Sequence, residues 1–429
     1  MKVMRRSLEW LSVVCFLLFT TEIMLGGAGE MIMISGVGIR RFLFLLTVAS
    51  FVLLGVARLA AKEYQFKIGN WKASLTGALI VAGWVVLIPL FYGQGIGLAI
   101  RDAGPLIGAA LVVALFDDAV LLEFWKRIRG YLFFLLLLCA LFHIFLYVDG
   151  VMDSETLWTK SNRLRNFWDP TWPTFGDKFV LIGAKPWGPR VNFASSFLML
   201  ISLYLSLFCL SGWNKFLRNA LLLVCLVAIG VTQTRSLLIA AGVFLFVTYL
   251  FKRHKPIGIK NDFHLWLLIA APFVLVFVFL PTIDLNSSFL HVFSRGETDN
   301  IRADQLRSLF QNIGMFPFLG TGFGAHAVYI RDPLAPFAYE LAVIALIMKM
   351  GVGGLIALTY LLFSYVRAAA VKLEPRRMAV AAGPYALYCA IIAANFFNPS
   401  IFSFFGTFFI IFVCLETKYL LMLTYGDQN

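Results

Sequence analysis

Charge is scarce in this chain. Of its 429 residues only 14% are charged, against 60% hydrophobic, and the mean hydropathy is +0.85. A soluble domain has about 25% charged and about 45–50% apolar residues, because most of a globule's surface must face water. That deficit excludes the soluble classes and leaves a polytopic membrane protein. Tyr (14) and Trp (10) are few beside 43 Phe, a balance that suits lipid better than a wet interface. Metal-ligand and disulfide spacings are missing as well. The six cysteines, Cys15, Cys139, Cys209, Cys225, Cys389 and Cys414, all lie in apolar runs, without CxxC or Cys/His spacing. Neither a zinc site nor a disulfide framework is indicated, and the thiols read as small core hydrophobes. The two halves show no internal repeat, and there is no low-complexity tract.

What the chain has instead is apolar runs. A spanning helix needs about 20 mostly apolar residues, and candidate spans fall at 8–26, 40–58, 73–92, 97–116, 130–149, 191–211, 217–232, 235–251, 265–281, 337–366, 379–397 and 400–424. The expected fold is all-α, with about twelve transmembrane helices in a single membrane domain over 1–429. The first run follows Lys2, Arg5 and Arg6. Because further spans continue from it, it reads as an uncleaved first helix rather than a signal peptide.

The net charge of +13 would suggest nucleic acid in a soluble protein. Here it is expected in cytoplasmic loops. With the N-terminus inside, 20 of the 36 basic residues fall in short inner segments, 14 lie outside, and Lys349 and Lys418 fall within spans. Short loops decide orientation, so both termini are expected in the cytoplasm and no nucleic-acid partner is expected.

Two extracytoplasmic loops stand out by length, and long loops in a compact body usually carry function. Loop 150–190 is rich in Trp and Pro, with Trp158, Trp168, Trp172 and Trp187 among Pro170, Pro173, Pro186 and Pro189. It reads equally as a sugar-stacking surface or an interfacial belt. Loop 282–335 carries Arg295, Arg302, Arg307 and Arg331 with acids interleaved.

Three stretches could carry chemistry. The turn between the seventh and eighth spans reads Thr232-Gln233-Thr234-Arg235-Ser236. Its arginine is either an interfacial residue reaching headgroups or a phosphate clamp, since guanidinium offers a fixed fork of donors to phosphate oxygens. In the second, the spacing of Ile301, Leu306, Leu309, Phe310 and Ile313 predicts an amphipathic helix on or in the membrane surface, with Arg302 at its start. The Gly320/Gly322/Gly324 run after it follows no strand and opens no βαβ unit, so it reads as a tight return turn rather than a nucleotide loop. In the third, Pro336 suits the first turn of a helix and Glu340 lies about one turn further on. That acid either favours the helix dipole or serves as a catalytic carboxylate.

Other polar residues in apolar surroundings read as structural. His143 is expected to be a satisfied core histidine, and Lys349 and Glu416, both inside spans, are expected to pair with each other. Arg40, Arg41 and Arg101 stand at outer helix ends, either lining the entrance to a site or snorkelling to headgroups.

Taken in order, these stretches resemble a known family. Thr232-x-Thr234-Arg235-Ser236 is similar to the Thr-x-Ser-Arg-Gly/Ser motif of the bacterial O-antigen polymerase and O-antigen ligase superfamily. The stretch from Arg302 through Pro317-Phe318-Leu319-Gly320-Thr321-Gly322-Phe323-Gly324 looks like its Arg-(x)n-Pro-hydrophobic-Leu-Gly-x-Gly segment. Gly351-Val352-Gly353-Gly354 and Asn395-Phe396-Phe397-Asn398-Pro399 also match. The resemblance covers roughly 215–415, so the polymerase/ligase-like core is read as 217–415, including loop 282–335.

The resemblance implies a GT-C type helical glycosyltransferase at the periplasmic face of the bacterial inner membrane. It would transfer glycan from an undecaprenyl-diphosphate carrier without metal, nucleotide or other cofactor. Donor and acceptor would both be lipid-linked oligosaccharides in the membrane, with a chain-length regulator as a candidate partner. Arg235 and Arg302 are assigned to the diphosphate, with Arg295, Arg331, Thr234 and Tyr339 as further binding candidates. Ligases carry a histidine near the start of the span after the large loop; here Tyr339-Glu340 stands there, in a Pro-x-x-Tyr-Glu pattern like that of polysaccharide polymerases. Glu340 is therefore the favoured base and His326 its competitor. The expected function is polymerisation of O-antigen, capsule or exopolysaccharide repeat units. The alternatives are an O-antigen ligase with a lipid A core acceptor and, in another class, a transporter or flippase for the same glycan.

Overall fold

A computed structural model describes residues 2–25, 33–34, 37–61, 71–93, 95–116, 118–152, 184–185, 188–189, 191, 194–210, 214–253, 297–330, 336–339, 341–355, 375–395 and 403–426. The described residues are overwhelmingly helical. In chain order the helices are α1 (Lys2–Leu25), α2 (Ile39–Ala60), α3 (Trp71–Phe91), α4 (Ile96–Leu115) and α5 (Asp118–Met152). A 3₁₀ turn (Ala194–Leu198) then leads into α6 (Met199–Phe208), followed by α7 (Lys215–Val231), α8 (Arg235–Arg253) and α9 (Glu297–Met315). The last three are α10 (Ala342–Leu355), α11 (Pro375–Asn395) and α12 (Phe404–Gly426). Two ribbons of two-residue strands, Met33–Ile34 with Val37–Gly38 and Ala184–Lys185 with Gly188–Pro189, complete the inventory.

Among the described residues four helices are long and apolar enough to cross a membrane: Arg5–Leu25, Ile39–Arg58, Ile96–Leu115 and Glu123–Asp149. Their surfaces show which solvent they face. On α2, Leu45 (66% exposed), Leu53 and Val56 point outward while Thr47 and Ser50 are buried. Each of these hydroxyls donates to a carbonyl of its own helix, Thr47 to Leu43 and Ser50 to Thr47. Apolar side chains outside and satisfied polar groups inside is the pattern lipid demands and water forbids. The chain is an α-helical, membrane-embedded protein.

Two hydrophobic clusters organise the body. The larger joins α1, α2, α5, α6, α7, α8, α11, α12 and the C-terminal half of α4. The smaller joins the end of α3, the N-terminal half of α4, α9, the glycine-rich segment and α10. Helix α4 belongs to both, with Ala99 and Ala103 in the smaller cluster and Ala109, Val112 and Val113 in the larger.

The structure corrects several expectations. Helix α5 begins at Asp118, well before the expected span at 130, so Lys126, Arg127 and Arg129 are helical residues rather than loop cations. Arg58, the last residue of the expected span 40–58, is buried against Glu9. Helix α10 begins at Ala342, five residues after the expected start. Lys349 and Glu416 do not pair: Lys349 meets Asp102, and Glu416 meets Arg129. The reason is placement: Lys349 faces the N-terminal half of α4, whereas the Glu416 carboxylate lies against Trp125 and Arg129 of α5 and Tyr204 of α6. His143 is a satisfied core histidine as expected, its ring nitrogens 2.7 Å from the Cys139 carbonyl and 2.8 Å from the Ser196 hydroxyl. The expected span at 265–281 and loop residues Trp158, Trp168 and Trp172 lie outside the described residues, as does most of the Asn395–Pro399 motif.

Candidate functional site

The smaller cluster holds a polar arrangement that links α4, α9, α10 and the glycine-rich segment. Its centre is α10, which is interrupted at Gly351, where φ is +60°. An interruption frees backbone groups that must find partners when buried. Residues 317–322 supply them. The amides of Thr321 and Gly322 donate to the carbonyls of Met348 and Lys349 at 2.8 and 2.9 Å. In return the amides of Val352 and Gly353 donate to Pro317 and Phe318 at 2.8 and 2.9 Å. The Trp84 indole N–H adds bonds to the carbonyls of Leu319 and Met350.

This pairing explains the glycines. A Cβ on Gly320 would lie 2.5 Å from the backbone of Lys349 and Gly351, and one on Gly324 would lie 2.5 Å from the Ala99 amide nitrogen. Both residues also have positive φ, +72° and +80°. The run is therefore not a simple return turn. It is a segment wedged between α4 and the broken helix, where only glycine permits the approach.

Beyond the wedge, the chain runs through His326, whose position is fixed one backbone group at a time. The Gly324 amide donates to Asp102 Oδ2 at 2.8 Å. Asn312 of α9 reaches the His326 carbonyl at 3.4 Å. The Ala327 amide donates to the Tyr339 hydroxyl at 2.6 Å, and the Tyr329 amide to the Ser308 hydroxyl at 2.8 Å. The His326 side chain itself is exposed. Tyr339 is buried ahead of α10, and that burial raises its phenol pKa, so the hydroxyl keeps its proton.

A buried ion pair sits beneath both segments. Lys349 Nζ lies 2.7 and 2.8 Å from the two Asp102 oxygens and donates to the Phe337 carbonyl at 3.0 Å. The Phe337 ring lies 5.7 Å from Lys349 Nζ and 5.9 Å from the Arg101 guanidinium carbon. Arg101 is exposed at the N-terminal end of α4, so the aromatic ring separates a buried cation from an exposed one.

Helix α9 matches the expected amphipathic helix, but its inner face packs on protein. Leu309 and Ile313 are buried in the smaller cluster, and Gln305, Ser308 and Asn312 lie on the same side. Asp304, Arg307 and Gln311 are exposed. Arg302 occupies the second turn of this helix, and its side chain lies outside what is described. Glu340, Arg295 and Arg331 lie outside the described residues altogether.

Arg235 and Thr234 belong to a different part of the molecule. Arg235 is the first residue of α8 and is exposed, after a turn in which Gln233 takes φ +47°. The Thr234 carbonyl accepts from the Leu237 and Leu238 amides, which starts the helix there. The turn is tied to the end of loop 150–190 by the Val191 amide donating to the Val231 carbonyl. A cation at the first position of a helix stands against the helix dipole, an arrangement that a bound anion would reverse.

The structure thus joins the segment of His326 to Tyr339, and places Arg235 and Thr234 on a separate packing unit. Asp102, Asn312 and Ser308 were not legible as site residues. Asp102 offered a weak signal, a carboxylate inside an otherwise apolar run two residues before Gly104-Pro105. Fold and site define an α-helical membrane protein with a polar assembly built around a broken helix. No family model matches the chain, and no curated protein sequence does either.

Proposed function

We propose that this protein is a membrane glycosyltransferase that polymerises oligosaccharide repeat units carried on undecaprenyl diphosphate, as a GT-C type bundle of about twelve spans in a bacterial inner membrane. Both termini are cytoplasmic and the reaction faces the periplasm. The growing chain on its carrier is the donor, and a hydroxyl of the new repeat unit is the acceptor. The hydroxyl oxygen attacks the anomeric carbon from the face opposite the diphosphate. The bond to the diphosphate oxygen breaks, the configuration inverts, and the hydroxyl proton passes to a base. Glu340 is the favoured base and His326 the competitor. Arg235 and Arg302 hold the leaving diphosphate and neutralise its developing charge, work a metal could otherwise do.

The observation that carries this reading is the fixed backbone around His326 and its bond to Tyr339, the chain neighbour of Glu340. Candidate bases need rigid support, because a general base works only within hydrogen-bond reach of its proton. Arg235 at the start of α8 supports the diphosphate role, since the helix end and the guanidinium favour the same anion. A second reading, ligation of glycan to a lipid A core, is favoured by the exposed His326 imidazole.

The test is a deletion strain complemented with Glu340→Gln, His326→Ala or Arg235→Ala, read by glycan ladders on gels. Loss of polymerisation leaves single repeat units on the acceptor, whereas loss of ligation strands polymer on its carrier. Full-length ladders from Glu340→Gln would remove that residue as the base. Normal polymer from Arg235→Ala would remove the diphosphate clamp.

A further inference from the structure

The Asp102–Lys349 pair is wholly buried in the smaller cluster, with Lys349 0% and Asp102 2% exposed. Buried ion pairs are poor stabilisers, because desolvation of two charges offsets their attraction, and well-packed apolar residues often serve as well. What distinguishes this pair is where its remaining hydrogen-bonding capacity goes. Asp102 Oδ2 accepts from the Gly324 amide, two residues before His326. Lys349 Nζ donates to the Phe337 carbonyl, three residues before Glu340. The pair therefore touches the backbone of both segments that carry candidate bases. The two segments meet again directly through the Ala327 amide and the Tyr339 hydroxyl.

We propose that Asp102 and Lys349 are positioning residues that set the register between the segment of His326 and the segment leading to Glu340. The carboxylate fixes one segment by an amide donor, the ammonium fixes the other by a carbonyl acceptor, and their mutual bond fixes the distance between them. The polarity of the pair is essential to this role. Exchanging the two residues keeps the Coulomb attraction but sets an ammonium against the Gly324 N–H, donor to donor. It also sets a carboxylate against the Phe337 carbonyl, acceptor to acceptor. An ion pair that merely held α4 to α10 would tolerate the exchange; a register device would not. The consequence for catalysis rests on the polymerase reading above, whereas the register itself does not.

The test uses the full chain in lipid nanodiscs, with D102K/K349D, the apolar pair D102L/K349M, and D102N as the mildest change. Amide hydrogen exchange is followed over 322–327 and 336–339, and polymerisation kinetics are measured on lipid-linked repeat units. D102L/K349M should keep the thermal midpoint near that of the parent, whereas D102K/K349D, with its buried donor–donor and acceptor–acceptor contacts, should melt lower. In both, exchange over 322–327 should rise about tenfold, as one backbone hydrogen bond is lost. The kcat should fall about 100-fold with KM little changed, as expected when a reacting group is misplaced by an ångström or so. If D102K/K349D fails to fold, D102L/K349M decides, because it removes the acceptor of the Gly324 amide without leaving a buried charge unpaired. D102N is the control: its amide oxygen can take the Oδ2 position and keep the Gly324 bond, so exchange over 322–327 should stay near that of the parent. Parent-like exchange over 322–327 in D102K/K349D, or in D102L/K349M, would overturn the register role. A parent protein without polymerase activity would overturn the function and leave the exchange result standing.

Discussion

At the N-terminal end of α4, Asp102 meets Lys349; just beyond its C-terminal end, the Phe116 carbonyl accepts from Lys418 at 2.6 Å, beside a second buried cluster. In that second cluster Glu416 lies 3.2 Å from Arg129 and accepts 2.7 Å bonds from the Trp125 indole and the Tyr204 hydroxyl. Arg129 also bonds the Cys209 sulfur, and its guanidinium carbon stands 5.2 Å from the Tyr419 ring centroid. The two clusters spend their charges differently. Glu416, on α12, is satisfied by side chains from two other helices, α5 and α6, so it fastens helix to helix. Asp102 and Lys349 turn outward from their own bond to the backbone of two non-helical segments. One cluster holds a bundle together, and the other holds loops to a bundle.

The largest effect should come from breaking the bundle fastener. Glu416→Leu leaves Arg129 mostly buried without its carboxylate, a change that costs about 3–5 kcal/mol when a buried pair loses one partner. Purified Glu416→Leu should aggregate or melt far below the parent, and Glu416→Leu with Arg129→Leu should recover much of the loss. A Glu416→Leu protein that melts like the parent would erase the contrast between the clusters. By that contrast, the apolar exchange at Asp102 and Lys349 disturbs local order more than global stability.

A smaller effect separates backbone conformation from crowding at the loop side of the comparison. Gly324 and Gly93 both have positive φ, +80° and +68°. A Cβ at Gly324 would meet the Ala99 nitrogen at 2.5 Å and the Leu98 carbonyl carbon at 2.7 Å, while one at Gly93 would meet nothing within 4 Å. Gly93→Ala should cost about 1–2 kcal/mol, the price of left-handed backbone alone. Gly324→Ala adds a clash with backbone that cannot swing aside, for about 2–4 kcal/mol in all. Thermal midpoints of the two variants, measured side by side, check the order. Equal losses would show that α4 and the glycine-rich segment move apart readily.

Much of the helical inventory was legible in the sequence, because apolar runs of the right length declare themselves: α2, α3, α4, α7 and α8 begin and end close to the expected limits, while α1 starts six residues early. The turn at Thr232–Arg235 was legible for the same reason, a short polar break between two apolar runs. The charge pairs were not. Lys349 was recognisable as a cation that needs a partner, yet sequence offers no measure of which helix lies beside which. Glu416 looked suitable because it is also deep in an apolar run, whereas Asp102, next to Arg101 near a helix end, carries a weaker signal of that kind. Long-range register is similarly silent: nothing local to Gly320 or Gly351 announces that residues 317–322 fill the gap in α10. Apart from Lys349, Gly351, Gly353 and Gly354 the broken helix reads as apolar, and the φ of Gly351 and the partners of its backbone reveal the break.

Within the loop side of the comparison, Tyr339 isolates a single bond. Its hydroxyl is the acceptor of the buried Ala327 amide, and its ring fills the smaller cluster. Tyr339→Phe keeps the ring and removes the acceptor, leaving a buried N–H unsatisfied at a cost of about 1–3 kcal/mol. Because no charge is exposed and no volume is lost, the effect should stay near the bond. Hydrogen exchange over 325–329 should quicken, while exchange in α5 and α12, where the other cluster lies, should not change. On the polymerase reading, glycan ladders from Tyr339→Phe should shorten without disappearing, since Asp102 and Lys349 still hold both segments. Quickened exchange throughout α5 and α12 would mean that the two clusters are not separable units, and that the loops and the bundle they sit on open together.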